Sequence, residues 1–153
     1  TRMGVNGILL SDGPGDPHEN GEILTNLKDM LKLKLPLFGL CLGHQLLALA
    51  NGAEICKMKY GHHGANQSVK DMETGRVYIT TQNHNYAVVA ESLNPAIATP
   101  KFINVNDKTC EGVAYANAPV FSVQFQPEVG GGTMDTAWLF DQFIEMIATK
   151  EEK

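Results

Sequence analysis

The stretch FGLCLGHQLL, Phe38 to Leu47, sets a thiol between two glycines: Cys41 stands between Gly39 and Gly43. An apolar run precedes it and a helix-like run follows. A nucleophile on a strand–turn–helix elbow occupies a strained backbone position, and small neighbours let the flanking backbone close in. A turn that opens a helix also sets the sulfur near the positive end of the helix dipole, which favours thiolate. The N–H of Leu42 would then face an oxyanion developing in acyl transfer. A buried core cysteine in a βα turn fits the same pattern, because free cysteine is among the most buried residue types.

Two further stretches have chemical potential. GPGDP, Gly13 to Pro17, follows a short apolar run. Its backbone N–H groups suit a carbonyl or carboxylate ligand, although a plain Gly/Pro turn reads the same way. QFQPE, Gln124 to Glu128, follows the run PVFSV. Glu128 there could orient a basic partner, as the third member of a triad does, or be a solvated carboxylate after a turn proline. Cys56, His62 and His63 lack the paired spacing of a zinc site, so no metal ligand set is expected. His62 and His63 read instead as a glycine-flanked turn.

These stretches need elements to position them. GILL (Gly7 to Leu10) and PLFGL (Pro36 to Leu40) read as buried strands. Glu22 to Leu35 repeats apolar residues every three or four positions, as an amphipathic helix does, and HQLLALAN after the cysteine is helical. Strand, helix, strand, turn, helix is the alternation of a mostly parallel open α/β sheet with flanking helices. From Ala53 to Val123 the segments RVYITT, YAVVA and FINVN read as short strands in a hairpin extension. PVFSVQF (Pro119 to Phe125) is a further buried strand, and Met134 to Thr149 a final helix. One domain over 1–153 is expected.

Composition bounds the partners. With 43% hydrophobic and 19% charged residues the chain reads as a soluble globular protein. A formal net charge of -5 argues against a nucleic acid or an anionic membrane as partner. No apolar run approaches the roughly 20 residues of a bilayer span, and TRMGVNGILL does not read as a signal peptide. Three cysteines at irregular spacing fit free thiols in the cytoplasm better than a disulfide framework.

The order SDGPGDP, GLCLGHQLLALA, QFQPE resembles the class I (triad) glutamine amidotransferases. KMKYGHHGANQSV (Lys57 to Val69) and TTQNHNYAV (Thr80 to Val88) narrow the likeness to the carbamoyl phosphate synthetase small-subunit type. The resemblance implies attack of a thiolate on the glutamine side-chain amide, release of ammonia, and hydrolysis of the thioester to glutamate. It implies glutamine as substrate, no cofactor in this domain, and a large synthetase subunit that takes the ammonia and uses ATP and bicarbonate. On it, Cys41 is the nucleophile, Gly13, Gly15 and Leu42 line the oxyanion and substrate pocket, and Gln45 meets the α-amino or α-carboxyl end. Asn83, Asn85 and Tyr86 match positions that hold glutamine, partly through backbone groups.

The departures from that pattern are as informative. Where the family carries His-Pro-Glu, this chain has Gln126-Pro127-Glu128, so the base of the catalytic set Cys41, Gln126, Glu128 is replaced by an amide. Glutamine cannot accept and return a proton at neutral pH, and general acid–base help of about 10²–10⁴-fold should be lost. Rescue by His44, His84, His62 or His63 would need a ring within hydrogen-bond distance of the thiol. Asn85 stands where relatives usually carry glycine. The family's first strand–helix unit, and its separate N-terminal domain, would precede Thr1. Two expectations follow: an impaired glutaminase domain, or a non-catalytic amidotransferase-like subunit that binds or scaffolds a synthetase. A class I hydrolase acting on another amide fits less well, given KMKYGHHG and QNHNYAV.

Overall fold

The computed structural model describes residues 4–116, 118–128 and 135–151. Strands β1 (Ile8–Leu10) and β2 (Leu37–Leu40) are joined through the helix α1 (Gly21–Lys32), and β2 runs through Cys41 into α2 (Leu42–Ala50). Four long or medium strands follow: β3 (Ile55–Asp71), β4 (Val77–Val88), β5 (Ala98–Asn104) and β6 (Cys110–Tyr115). The chain then returns to the parallel part as β7 (Val120–Val123) and ends on α3 (Trp138–Glu151). The expected helix start at Met134, and Thr1 and Arg2, lie outside the described residues.

The sheet corrects the expectation of a mostly parallel, open arrangement. Only β1–β2 and β2–β7 pair in parallel among the described residues. The pairings β3–β4, β3–β5, β4–β6, β5–β6 and β6–β7 are antiparallel. The reason lies in the connections. Helix α1 gives β1 and β2 the crossover that parallel strands require, whereas residues 72–76 and 105–109 are turns that only reverse the chain. Because β5 pairs with both β3 and β6, the strands β3, β4, β6 and β5 close on themselves. That closure is thinnest between β4 and β6, where Val88 stands in register with Cys110 alone among the described residues.

Three details of the sequence reading change. His62 and His63 lie inside β3, not in a separate turn, with register irregularities between Lys57 and His62 and between Gly64 and Gln67. RVYITT and YAVVA belong largely to one strand, β4. Strand β6, CEGVAY, had no counterpart in the expectation; its glycine and acidic residue break the β-branched pattern that marks strands.

The core sits on both faces of the parallel strands. Phe38 and Leu40 of β2 pack with Phe121, Val123, Leu139 and Phe143 under α3, and the Phe38 and Phe121 rings stack at 4.3 Å between centroids. Leu37, one residue out of phase, joins Leu27, Leu46 and Leu47 under α1 and α2. This two-sided burial makes the β2–α2 junction a rigid place from which to present a side chain.

Candidate functional site

Cys41 is the residue at the β2–α2 junction, with φ 48° and ψ −103°. A positive φ on a residue bearing Cβ is strained by about 1–3 kcal/mol and persists only where surrounding packing enforces it. Here the Cys41 N–H is tied to Val123 O on β7 at 2.9 Å. The flanking glycines are explained by close approach. A Cβ on Gly43 would come within 2.5 Å of Leu10 O, and one on Gly39 within 2.6 Å of Leu47 Cδ1 and 3.0 Å of Gly43 C. Helix α2 therefore lies tight against β1 and β2, with Cys41 buried at the bend between them.

Cys41 borders a pocket of about 400 Å³. The pocket brings together Gly13, Gly15, Leu42, Gln45, Asn83, Asn85 and Tyr86, all singled out from the sequence, with His84, weighed there as a substitute base, and adds Asp16 and Lys57, which were not. One of the anticipated donors is occupied by the protein itself: Gly13 N–H donates to Asp12 Oδ1 at 2.7 Å. Gln45 is buried, and its Nε2 donates to Tyr86 O and to Gln124 Oε1, each at 2.9 Å. His63 lies 2.7 Å from Asn83 Oδ1 and 3.1 Å from Asn85 Oδ1, so it braces both asparagines. Tyr86 donates its hydroxyl to Asp16 Oδ2 at 2.9 Å.

The surroundings of the sulfur favour the thiol over the thiolate. Burial is the largest cause, and a hydrogen bond to the Asp12 carboxylate together with its negative charge adds to it. Donation from Gln124 Nε2, 3.5 Å from the sulfur, and from the Leu42 N–H opposes them. The net result pushes the Cys41 thiol up to about 12.

Among the described residues, Gln126 meets this group through Asp12: its Nε2 donates to Asp12 Oδ2 at 3.0 Å. Glu128 is exposed, and among the described residues no hydrogen bond joins it to Gln126. The expected sequence of base and orienting carboxylate is therefore not assembled, because an amide at position 126 satisfies itself on Asp12. None of the histidines takes the place of the base. His44 is wholly buried, bonded to Ser122 Oγ at 2.8 Å, and burial drives its pKa down to about 3. His84 borders the pocket, but its ring is held between Tyr86 O and Gln82 Oε1, each at 2.7 Å.

Asp12, Asp16, Lys57 and Gln124 escaped sequence reasoning. Asp12 and Asp16 flank the glycine turn, where acidic residues are ordinary turn formers. Only the fold brings Gln126 onto Asp12, 114 positions away in sequence.

A strained cysteine between a parallel strand and a helix, bordering a pocket with the glycine loop, is thus the frame of the site. The chain belongs to the class-I glutamine amidotransferase family, whose model matches residues 1–146. It is 49% identical over 150 residues to a carbamoyl phosphate synthase small chain of Listeria monocytogenes, and 48% over 140 residues to that of Methanopyrus kandleri. These alignments take in 98% and 92% of this chain but 41% and 38% of the relatives, so the chain spans about two fifths of their length. Among solved structures, a Thermoplasma acidophilum protein named as part of a GMP synthase superposes with TM-score 0.84 at 25% identity, over 97% of this chain and 76% of that one. A glutamine amidotransferase from Thermotoga maritima superposes with TM-score 0.69 at 22% identity, over 97% of this chain and 66% of that one, a likeness of fold. No helix among the described residues is long and apolar enough to cross a membrane.

Proposed function

We propose that the Cys41 pocket is a glutamine site of carbamoyl phosphate synthetase type, with its chemistry impaired by Gln126. The observation that carries this reading is the strained elbow: Cys41 at φ 48° opening onto a pocket with Gly13 and Gly15 opposite. A strain of that kind, on a residue bearing Cβ, fits a nucleophile better than a core thiol. Lys57 and Asp16 give the pocket one cation and one anion, a fit to the α-carboxylate and α-ammonium of an amino acid. The matched relatives bear the name carbamoyl phosphate synthase small chain, which supports glutamine as amide donor and, for partner, a large synthetase chain that uses the ammonia. ATP and bicarbonate would belong to that partner, and a cytoplasmic setting to the pair.

In the reaction so read, the Cys41 sulfur must lose its proton, add to the amide carbon, and expel ammonia, which needs a proton in turn. Water then cleaves the thioester to glutamate. An imidazole can shuttle both protons; the amide of Gln126 can shuttle neither. Asp12 is no substitute, because its negative charge beside the sulfur opposes thiolate formation. Thiol activation and hydrolysis of the thioester therefore both lose their proton carrier. A second reading, a non-catalytic subunit that binds or scaffolds a synthetase, draws on the same thiol held near pKa 12.

Intact-protein mass after incubation with glutamine, beside a Cys41→Ala control, tests the reading. A Cys41-dependent glutamyl adduct supports an impaired glutaminase. No adduct at either neutral or alkaline pH, with glutamine bound and the fold intact by circular dichroism, leaves the binding module.

A further inference from the structure

The closed, antiparallel part of the sheet holds a second polar cluster that the chemistry of Cys41 does not use. His62 of β3, Gln82 and His84 of β4 and Glu111 of β6 are all buried, and Glu111 is 0% exposed. His62 Nδ1 lies 3.0 Å from Gln82 Oε1 and 3.0 Å from Glu111 Oε1. His84 Nε2 lies 2.7 Å from Gln82 Oε1 and 3.9 Å from Glu111 Oε2. Glu111 Oε2 is buried and accepts no hydrogen bond among the described residues.

The hydrogen-bond partners fix what these atoms present to one another. Tyr86 O can only accept, so the 2.7 Å contact puts the proton of His84 on Nδ1 and leaves a lone pair on Nε2. Thr80 donates its hydroxyl to Gln67 O at 2.8 Å. Its oxygen is therefore an acceptor for Gln82 Nε2 at 3.1 Å, and Gln82 must turn Oε1 toward His84. Lone pairs of Gln82 Oε1, His84 Nε2 and the Glu111 carboxylate thus face one another in a buried space that favours positive charge, which the protonated His62 ring supplies when no ion is bound. His62 fits the same scheme: Nε2 meets Asp107 Oδ2 at 2.8 Å, which leaves Nδ1 facing inward.

We propose that His62 Nδ1, His84 Nε2, the Glu111 carboxylate and Gln82 Oε1 form a structural site for a divalent transition-metal ion, with Zn²⁺ the best match. Ligand atoms of the two histidines and Glu111 all lie within 4.8 Å of one another. Bonds of about 2.0–2.2 Å in a tetrahedron place ligand atoms roughly 3.3–3.6 Å apart, and the contacts of 2.7 to 3.9 Å bracket that spacing. Two imidazoles and a carboxylate suit zinc more than calcium or magnesium, which prefer all-oxygen shells.

The outer partners complete the set. Metal-bound histidine normally gives its other N–H to a carboxylate or backbone carbonyl. His62 has Asp107 for this purpose and His84 has Tyr86 O. Thr109 Oγ1 lies between the two carboxylates, 2.7 Å from Asp107 Oδ1 and 2.9 Å from Glu111 Oε1, and its one proton serves either. Burial leaves no open position for a substrate, which makes the site structural. The ion would tie β3, β4 and β6 together where β4–β6 pairing is thinnest, and would fix the Tyr86 carbonyl that also holds Gln45. Nothing in this site depends on the role given to Cys41.

The test titrates the chelator-treated full chain with Zn²⁺ alone by calorimetry, and with Co²⁺ by visible spectroscopy. One ion per chain retained through gel filtration, with four-coordinate cobalt bands, is expected. Asp107→Asn, at a carboxylate 43% exposed and outside the core, should weaken zinc roughly 10–100-fold with unchanged circular dichroism. Glu111→Gln, of similar shape, should weaken it further, and Cys56→Ser should leave it unchanged. Failure of the folded chain to retain Zn²⁺ or Co²⁺ would overturn the site and leave the cluster held by protons. Retention that Asp107→Asn and Glu111→Gln both leave unchanged would overturn it equally.

Discussion

Two buried polar clusters are built from similar side chains and end in opposite states. Around Cys41, the amides of Gln45, Gln124 and Gln126 bind one another, a carbonyl and Asp12, and the assembly opens onto a pocket. Around Glu111, two histidines and an amide converge inward, and each has a partner on its outer side. The first cluster satisfies its donors yet holds Cys41 as a thiol. The second satisfies its periphery and leaves its centre rich in lone pairs. Access to the pocket separates them in part: Cys41 and Gln45 border it, whereas of the second cluster only His84 does, and His62, Gln82 and Glu111 lie behind it.

The sharpest way to break the contrast is to return an imidazole to the open cluster. Gln126→His should raise glutamine hydrolysis about 10²–10⁴-fold, read as ammonia release, and Cys41→Ala in the same background should abolish the gain. No gain in the folded variant would mean that the pocket lacks more than a base.

The next effect is on pH. The Cys41 thiol, pushed up to about 12, is protonated throughout the neutral range. Its thiolate fraction, and so its alkylation by iodoacetamide, should rise about tenfold per pH unit between pH 8 and 10. Mass spectrometry in a Cys56→Ser background would follow it. Asp12→Asn removes a negative charge that opposes ionisation, so it should speed alkylation at every pH in that range. An unchanged rate would remove Asp12 as a cause of the raised thiol pKa.

Packing behind the elbow gives a smaller effect. Gly43→Ala sets a Cβ against Leu10 O and should destabilise the chain by about 1–3 kcal/mol, measured by denaturant unfolding. The smallest effect concerns the pocket wall. Tyr86→Phe removes the bond to Asp16 and should weaken glutamine binding by about 0.5–1.5 kcal/mol in calorimetry. A larger loss would mean that the hydroxyl meets the ligand itself.

How much of this was readable in advance depends on sequence distance. Strand β1, helix α1, strand β2 and helix α2 could be read from the sequence because apolar periodicity and turn residues are local signals, and Cys41 declared its elbow through its own neighbours. Strand β3 was harder: its glycines and paired histidines read as a turn, while pairing with β4 keeps them extended. Strand β6 carries Glu111 at a fully buried position, which no hydrophobic pattern would mark.

By itself, then, the sequence determined the alternation that begins the fold, the placement of Cys41 between glycines, and the loop residues that gather around it. These follow from local backbone preference and from the burial of apolar faces. The tertiary structure alone decided that the antiparallel strands close, that Gln126 comes to rest on Asp12, and that His62, His84 and Glu111 meet. Each of those contacts joins residues far apart in the chain, and its geometry is set by strand register, which no single segment contains.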